Sequence, residues 1–200
     1  MISQRFLAIA LTFLLSGFLS GCVTVANNLS PDQVANFRLA GVSVTYAPGA
    51  RIWWGDGERA YASLKGLPAH ESDTVANTPE GQAYVRSTVA AKVKAAMERH
   101  LAGQLNGARP VRVEVSVKDV EIASVIQRIL VGGAHRMTAD VNLVDAKTGQ
   151  VLVAYPAQTA TGMAGQGLLG TMVDQAAFAE PIDRIVENYA SQYGNWLLRK

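Results

Sequence analysis

The sequence predicts an α+β domain, in which an antiparallel sheet of about four strands carries two amphipathic helices packed on one face. Three observations favour this class. Apolar and polar residues alternate along residues 111–117 and 137–143, as in strands with one buried face. A glycine turn at 145–149 joins the second run to a further strand. Apolar stripes with helical spacing mark residues 79–101 and 181–197.

The first strand is predicted over residues 37–46 and is expected to end at Pro48-Gly49. Trp53 and Trp54 follow it. Because successive side chains of a strand point to opposite faces, we expect one tryptophan in the core and the other at least partly exposed. Two interpretations stay open: an aromatic platform for a sugar or peptide beside Asp56, or a core tryptophan with a second one capping the glycine turn.

Two helices are well marked, and a short one is expected around residues 59–64. Thr78-Pro79-Glu80 supplies a capping hydroxyl, a proline suited to the first turn and an acid at the helix start. This helix carries its apolar stripe to Leu101 and is expected to end at Gly103 or at 106–107. The last helix begins at Glu180-Pro181.

The central strand contains a change of register. Valines occupy every second position from 111 to 117, but the apolar positions then move to Val120 and Ile122. A shift by one inside a continuous run predicts a β-bulge near Lys118-Asp119. The strand that follows the glycine turn is predicted from Val151 to Tyr155, with Pro156 ending it.

The first residues form a targeting segment. Arg5 precedes an uncharged apolar run over residues 6–19, and Ser20-Gly21 stands directly before Cys22, the only cysteine. Leu19-Ser20-Gly21-Cys22 resembles the bacterial lipobox. The resemblance implies cleavage between Gly21 and Cys22, with covalent diacylglycerol and N-acyl chains on Cys22 and no other cofactor. The alternative is an ordinary leader that leaves a free thiol.

We therefore expect three parts: a signal peptide at 1–21, a lipidated tether at 22–36, and a single periplasm-facing α+β domain at 37–200. The tether is expected because residues 23–31 are mostly small and polar. By resemblance to lipoprotein sorting in Gram-negative bacteria, Val23 favours the outer membrane over the inner membrane.

Several function classes are disfavoured. The net charge of +2 is spread along the chain without a basic block, which disfavours nucleic acid as a partner. Residues 165–170 match GxGxxG, but no strand leads directly into them, so no nucleotide partner is expected. The three histidines are scattered, without metal-ligand spacing, and no nucleophile stands beside a base. We expect neither a metal site nor an enzyme.

Two apolar segments, 125–131 and 163–173, are flanked by glycine. Each either continues a regular element into the core or forms an exposed patch for a partner. Under the second interpretation Ile129, Leu130 and the nearby His135 are candidate contacts.

The chain resembles a family of uncharacterised lipoproteins of alphaproteobacteria. The resemblance rests on the lipobox, Trp53-Trp54-Gly55-Asp56 and the segments 105–111 (LNGARPV), 131–135 (VGGAH) and 145–152; the second tryptophan replaces an expected arginine. It implies no activity. Our hypothesis is a non-catalytic accessory factor, anchored in the membrane by lipid, that binds an envelope protein or supports envelope assembly. The alternative is a module that binds a small ligand, lipid or cell-wall glycan through Trp53 and Trp54.

Overall fold

The computed structural model describes residues 25–123, 134–163 and 180–200. Cys22, Gly21, Ile129, Leu130 and the GxGxxG segment lie outside the described residues. The elements are α1 (Pro31–Ala35), β1 (Phe37–Trp54), α2 (Gly55–Leu64), a 3-10 turn (Ala69–Glu71), α3 (Ser72–Ala76), α4 (Pro79–Leu101), β2 (Arg109–Ile122), β3 (Ala134–Asp145), β4 (Val151–Met163) and α5 (Pro181–Leu198).

The described strands form one sheet in the order β1–β2–β3–β4. The predicted α+β class is confirmed, but the sheet is mixed: β2–β3 and β3–β4 are antiparallel, whereas β1–β2 is parallel. The expectation of a purely antiparallel sheet is wrong for this one pair. Its cause is the connection 55–108, which carries α2, α3 and α4 back along the sheet so that β2 starts at the same end as β1.

The predicted bulge on β2 is confirmed. Val117 pairs with Ala139 and Asp119 with Thr138, so Lys118 is the extra residue. The parallel partner β1 leaves the ladder at the same level, after Tyr46, and pairs again from Arg51. β1 is therefore longer than predicted, because residues 47–50 bulge around Gly49, which has φ +74°, instead of ending the strand.

β4 is also longer than predicted, since it passes through Pro156 to Met163. Proline is tolerated because β4 is an edge strand. The next residue, Ala157, takes φ +49° and donates its N–H to the Asp140 carboxylate at 2.6 Å. The disturbance stays local, and pairing continues from Gln158.

Helices α4 and α5 pack on one face of the sheet, as predicted. Thr78 caps α4 by accepting a hydrogen bond of 3.1 Å from the Gly81 N–H. The two helices run side by side in the same direction, with Lys92 bound to Asp183 at 2.6 Å. The largest fully buried side chains lie between helices and sheet: Tyr189, Tyr193, Phe37, Met97, Leu101, Leu105, Met137, Leu143, Ile182, Ile185 and Leu197. The other sheet face is polar and carries ion pairs such as Lys118–Asp140 and Arg136–Glu121.

Most of the segment expected as a tether contacts the domain. The Trp196 indole N–H donates to the Val25 carbonyl at 2.8 Å, and the Asn27 amide donates to the Trp196 and Leu197 carbonyls at 3.0 and 3.1 Å. Leu29 is buried, and Ser30 forms a capping box at the start of α1. From Val25 onward the chain is therefore part of the folded unit.

The elements place two ends of the domain opposite each other. One end holds the docked segment 25–36, the starts of β1, β2 and β4, and the ends of α4 and α5; we call it the N-terminal pole. The other end holds the far ends of β1 and β2 with α2 and α3; we call it the pocket pole. The 14 residues of β2 span the distance, about 40 Å at roughly 3.3 Å per residue.

Among the described residues, no helix is long and apolar enough to cross a membrane.

Candidate functional site

A cavity of about 540 Å³ opens at the pocket pole. Its walls come from the last residues of β1, the end of β2, the first turns of α2 and α4, and the short α3. These segments meet because the parallel crossover returns the chain to the sheet beside β1. The lining is Ala50, Arg51, Ile52, Trp53, Trp54, Gly55, Glu58, Asp73, Ala76, Asn77, Gln82, Val85, Arg86, Glu121 and Ile122.

The two adjacent tryptophans have different roles, as strand alternation predicts. Trp54 is 5% exposed and belongs to the core, whereas Trp53 is 65% exposed at the rim of the cavity. Helix α2 lies directly on the Trp54 ring: a Cβ at Gly57 would stand 2.3 Å from a ring carbon. The Lys92 ammonium lies 5.9 Å from the ring centroid on this same indole. The rings therefore form no joint platform, and Trp53 is the one accessible to a ligand.

Three carboxylates line the cavity. Glu121 is paired with Arg136 at 2.9 Å, whereas Glu58 and Asp73 have no salt-bridge partner in the part of the chain that the structure describes. Burial raises the pKa of the Glu58 carboxyl, and the negative charge of Asp73 raises it further, while Arg59 opposes the shift. Asp56, the acid predicted for this site, instead forms an ion pair with Arg59 and is not part of the lining.

The floor of the cavity is fixed by Arg86. Its guanidinium donates to the Ala50 carbonyl at 2.9 Å and stacks 4.8 Å from the ring centroid of Tyr46. The Tyr46 hydroxyl in turn donates to the Arg86 carbonyl at 2.6 Å, and burial raises the pKa of Tyr46 to about 12. These contacts hold β1 against α4 and fix the wall of the cavity that the two elements form.

His135 lies elsewhere. It is 2% exposed on β3, and its Nδ1 accepts a hydrogen bond from the Ala123 N–H at 3.1 Å. It borders a separate cavity of about 110 Å³ beneath α5, lined also by Arg184 and Asn188. The structure thus does not bring His135 together with Trp53, and its position is that of a buried hydrogen-bonded residue.

Sequence reasoning missed the residues that reach the cavity from the crossover. Asp73 lies on α3, Asn77 directly follows that helix and Arg86 lies on α4, and no local pattern connects them to Trp53. In the sequence, only Gly81 indicates that α3 packs closely on α4. A Cβ at this position would stand 2.4 Å from the Val75 carbonyl oxygen, so only glycine fits there.

The arrangement offers groups that can bind a polar ligand. It offers an exposed aromatic ring, three carboxylates, two side-chain amides and two arginine side chains around an open, mostly polar cavity. No histidine, cysteine, serine or lysine belongs to the described lining. Nor do three His, Cys, Asp or Glu side chains meet as a metal site anywhere in residues 25–123, 134–163 and 180–200.

Comparison with known proteins gives one family match. Residues 78–199 match the model of a family of unknown function (DUF6778). The matched range includes segments 105–111, 131–135 and 145–152 but neither Trp53 nor the lipobox. This match agrees with the expectation of an uncharacterised family. No curated protein matches the chain.

Solved structures that resemble the chain do so distantly. A candidate lipoprotein from Caulobacter crescentus CB15 is 19% identical, covering 56% of this chain and 81% of its own, with a TM-score of 0.37. A PelC dodecamer from Paraburkholderia phytofirmans is 13% identical, with coverages of 84% and 91% and a TM-score of 0.37. A Xanthomonas campestris protein of the family model DUF330 is 14% identical, with coverages of 82% and 81% and a TM-score of 0.35.

Proposed function

This chain belongs to a family of unknown function, DUF6778, and we propose that it is a non-catalytic, lipid-anchored protein of the cell envelope that binds a protein partner at the Trp53 cavity. The single observation that carries the binding part is the exposed tryptophan beside an open, mostly polar cavity. An accessory role in envelope assembly follows from the anchor and the partner together.

The anchor is supported by Leu19-Ser20-Gly21-Cys22 behind an apolar run. A thiolate is the nucleophile that takes up a lipid through a thioether, so the only cysteine of the chain stands where this chemistry requires one. Val23 favours the outer membrane. In this proposal the domain faces the periplasm.

A protein partner is favoured over a small apolar ligand by the geometry of the rim. Tryptophan is among the residues that contribute most to protein interfaces, particularly when it borders a pocket into which a partner side chain can insert. Trp53 is 65% exposed, although burying a large aromatic ring is normally favourable. Glu58 and Asp73, inside the cavity, are suited to a donor group on the partner, such as an ammonium or a guanidinium.

A cell-wall glycan is the second candidate, because the Trp53 face could stack on a sugar ring while Glu58 and Asp73 accept hydrogen bonds from hydroxyls. The polar lining disfavours a lipid chain as ligand. The non-catalytic part of the proposal is supported by the described lining, in which no histidine, cysteine, serine or lysine accompanies Glu58 and Asp73.

Site-specific photo-cross-linking in intact cells tests the proposal. A benzophenone amino acid replaces Trp53 in one variant and Ser43 in the control; Ser43 is exposed on the same strand, well away from the cavity. We expect a discrete protein adduct from position 53 and none from position 43. A glycan adduct at position 53 would favour the second candidate. The same adducts at both positions, or none at position 53, would refute a binding role for the cavity.

A further inference from the structure

The docked N-terminal segment limits where a lipid anchor can be. Besides the Trp196 and Asn27 hydrogen bonds, the Arg199 guanidinium donates to the Asn27 and Leu29 carbonyls, both at 2.7 Å. Five hydrogen bonds thus hold Val25 to Leu29 against the end of α5. The first described residues therefore have one fixed position on the domain.

Only two residues separate Cys22 from Val25 in the sequence. Because consecutive Cα atoms are about 3.8 Å apart, the Cα of Cys22 cannot lie more than roughly 11 Å from that of Val25. A lipid on Cys22 would consequently enter the bilayer beside the N-terminal pole. The domain could not tumble freely on a chain this short.

The N-terminal pole is basic. Its exposed basic residues include Arg38, Arg109, Lys147, Arg199 and Lys200, and its acidic residues include Asp32 and Asp145. Other charged side chains nearby form the pairs Lys94–Glu98, Arg99–Glu187 and Arg112–Glu114. Asp145 is already neutralised by Arg109, at 2.9 Å. The excess positive charge comes from three separate parts of the chain: the start of β1, the β3–β4 turn and the end of α5.

The pocket pole carries a smaller excess of the opposite charge, since apart from its arginine–carboxylate pairs it sets four acidic residues against Lys65 and Arg86. Glu58, Glu71, Asp73 and Glu80 lie on or beside α2, α3 and the start of α4. Glu58 and Asp73 have no basic partner within 4 Å among the described side chains. The two poles, which are about 40 Å apart, therefore differ in charge.

Resting on the lipid anchor of the proposed function, we propose that the N-terminal pole lies on anionic phospholipid headgroups and directs the Trp53 cavity away from the membrane. Basic residues near an anionic surface each strengthen the contact, by about fivefold when the charge is close to the headgroups. Lipid and charge then act at the same end of the domain. The cavity is held about 40 Å above the headgroups, where a partner in the periplasm can reach it.

Energy transfer from dye-labelled protein to acceptor-labelled headgroups tests this orientation. The full-length, cell-processed protein is reconstituted into phosphatidylglycerol-containing vesicles with one added cysteine, Thr148→Cys in the β3–β4 turn or His70→Cys on the pocket pole. Both sites are exposed. We expect strong transfer from position 148 and little from position 70. Equal transfer from both positions would overturn the orientation.

Charge variants test the role of the basic residues, and the parent protein tests the anchor. Replacing Lys147 and Lys200 by glutamine should lower the transfer from position 148, whereas Lys65→Gln on the pocket pole should not. Unchanged transfer in the double variant would refute the role of the basic charges. The parent chain carries only Cys22, so dye uptake by the parent would reveal a free thiol; that result refutes the anchor and the orientation with it.

Discussion

Gly57→Ala is expected to disturb the cavity by forcing apart helix α2 and the Trp54 ring, which lines it. The new Cβ would stand 2.3 Å from the Trp54 Cε3 atom and 2.7 Å from two further ring carbons. Carbon atoms pack best at about 3.5–4.0 Å, so helix α2 or the indole must move by more than about 1 Å. Overpacking of this kind costs about 1–3 kcal/mol.

Gly55→Ala is the matched control in the same helix. At Gly55 the nearest atom to an added Cβ is the Arg59 side-chain nitrogen at 3.5 Å, an ordinary contact. Alanine favours a helix over glycine by up to about 1 kcal/mol at either position. The difference in unfolding free energy between the two variants therefore isolates the packing of α2 on Trp54, about 1–3 kcal/mol.

Thermal unfolding followed by circular dichroism measures this difference. For a domain of this size, 1 kcal/mol corresponds to roughly 2–4 °C, so Gly57→Ala should melt about 2–12 °C below Gly55→Ala. The near-ultraviolet signal of the tryptophans should change in Gly57→Ala alone. Equal melting temperatures would contradict the packing of α2 on the Trp54 ring.

Three further outcomes are expected from thermal melting. Trp54→Ala should destabilise the protein by about 3–5 kcal/mol because it removes a buried aromatic ring, whereas Trp53→Ala should stay within about 0.5 kcal/mol; similar losses would refute the assignment of core and rim. Glu58→Gln should raise the melting temperature at pH 7, since the raised pKa of Glu58 means that its ionised form is disfavoured in the folded state. This gain should vanish below the unfolded pKa of about 4.5, and a loss at pH 7 would contradict it. Asp145→Asn should lower the melting temperature at neutral pH, because the Thr148 N–H, the Arg109 guanidinium and the Lys147 N–H hold the pKa of Asp145 at about 2. The stabilisation is complete above pH 4 and is lost as the pH falls through about 2, so a melting difference that grows with acidity would be inconsistent with it.

Local patterns in the sequence predicted the elements with one buried face. The register change after Val117 located the bulge at Lys118, and Thr78 located the start of α4. Such signals are available because alternation and helix caps depend on neighbours within a few residues. The same alternation predicted that one of the two tryptophans is buried and the other exposed, but not that Trp54 is the buried one.

Features that depend on distant contacts were not visible in the sequence. The parallel pairing of β1 with β2 requires the whole crossover, and Asp73 reaches the cavity through it. Residues 25–36 have the composition of a flexible link, yet Trp196 binds the carbonyl of Val25 from far along the chain. Backbone hydrogen bonds to a remote helix leave no periodic pattern, so composition alone gives the wrong impression of the segment.

The docked segment changes what the anchor implies. A lipid on a long tether would leave the domain free to turn, whereas a lipid within roughly 11 Å of Val25 fixes one end of it at the membrane. The cavity with Trp53 then lies at the far end. In the proposed orientation, the anchor at Cys22 attaches the domain and, together with the basic residues of the N-terminal pole, determines which end faces the membrane.

Metabolic labelling with radioactive palmitate tests the lipid anchor itself. The wild-type chain should incorporate label and yield a mature protein that begins at an acylated Cys22, while Cys22→Ala should incorporate none and stay unprocessed. The conservative variant Val23→Ala, beside the anchor, serves as a control and should be labelled like the wild type. Labelling of Cys22→Ala, or a wild-type protein with an unmodified Cys22 thiol, would contradict a lipid anchor at Cys22.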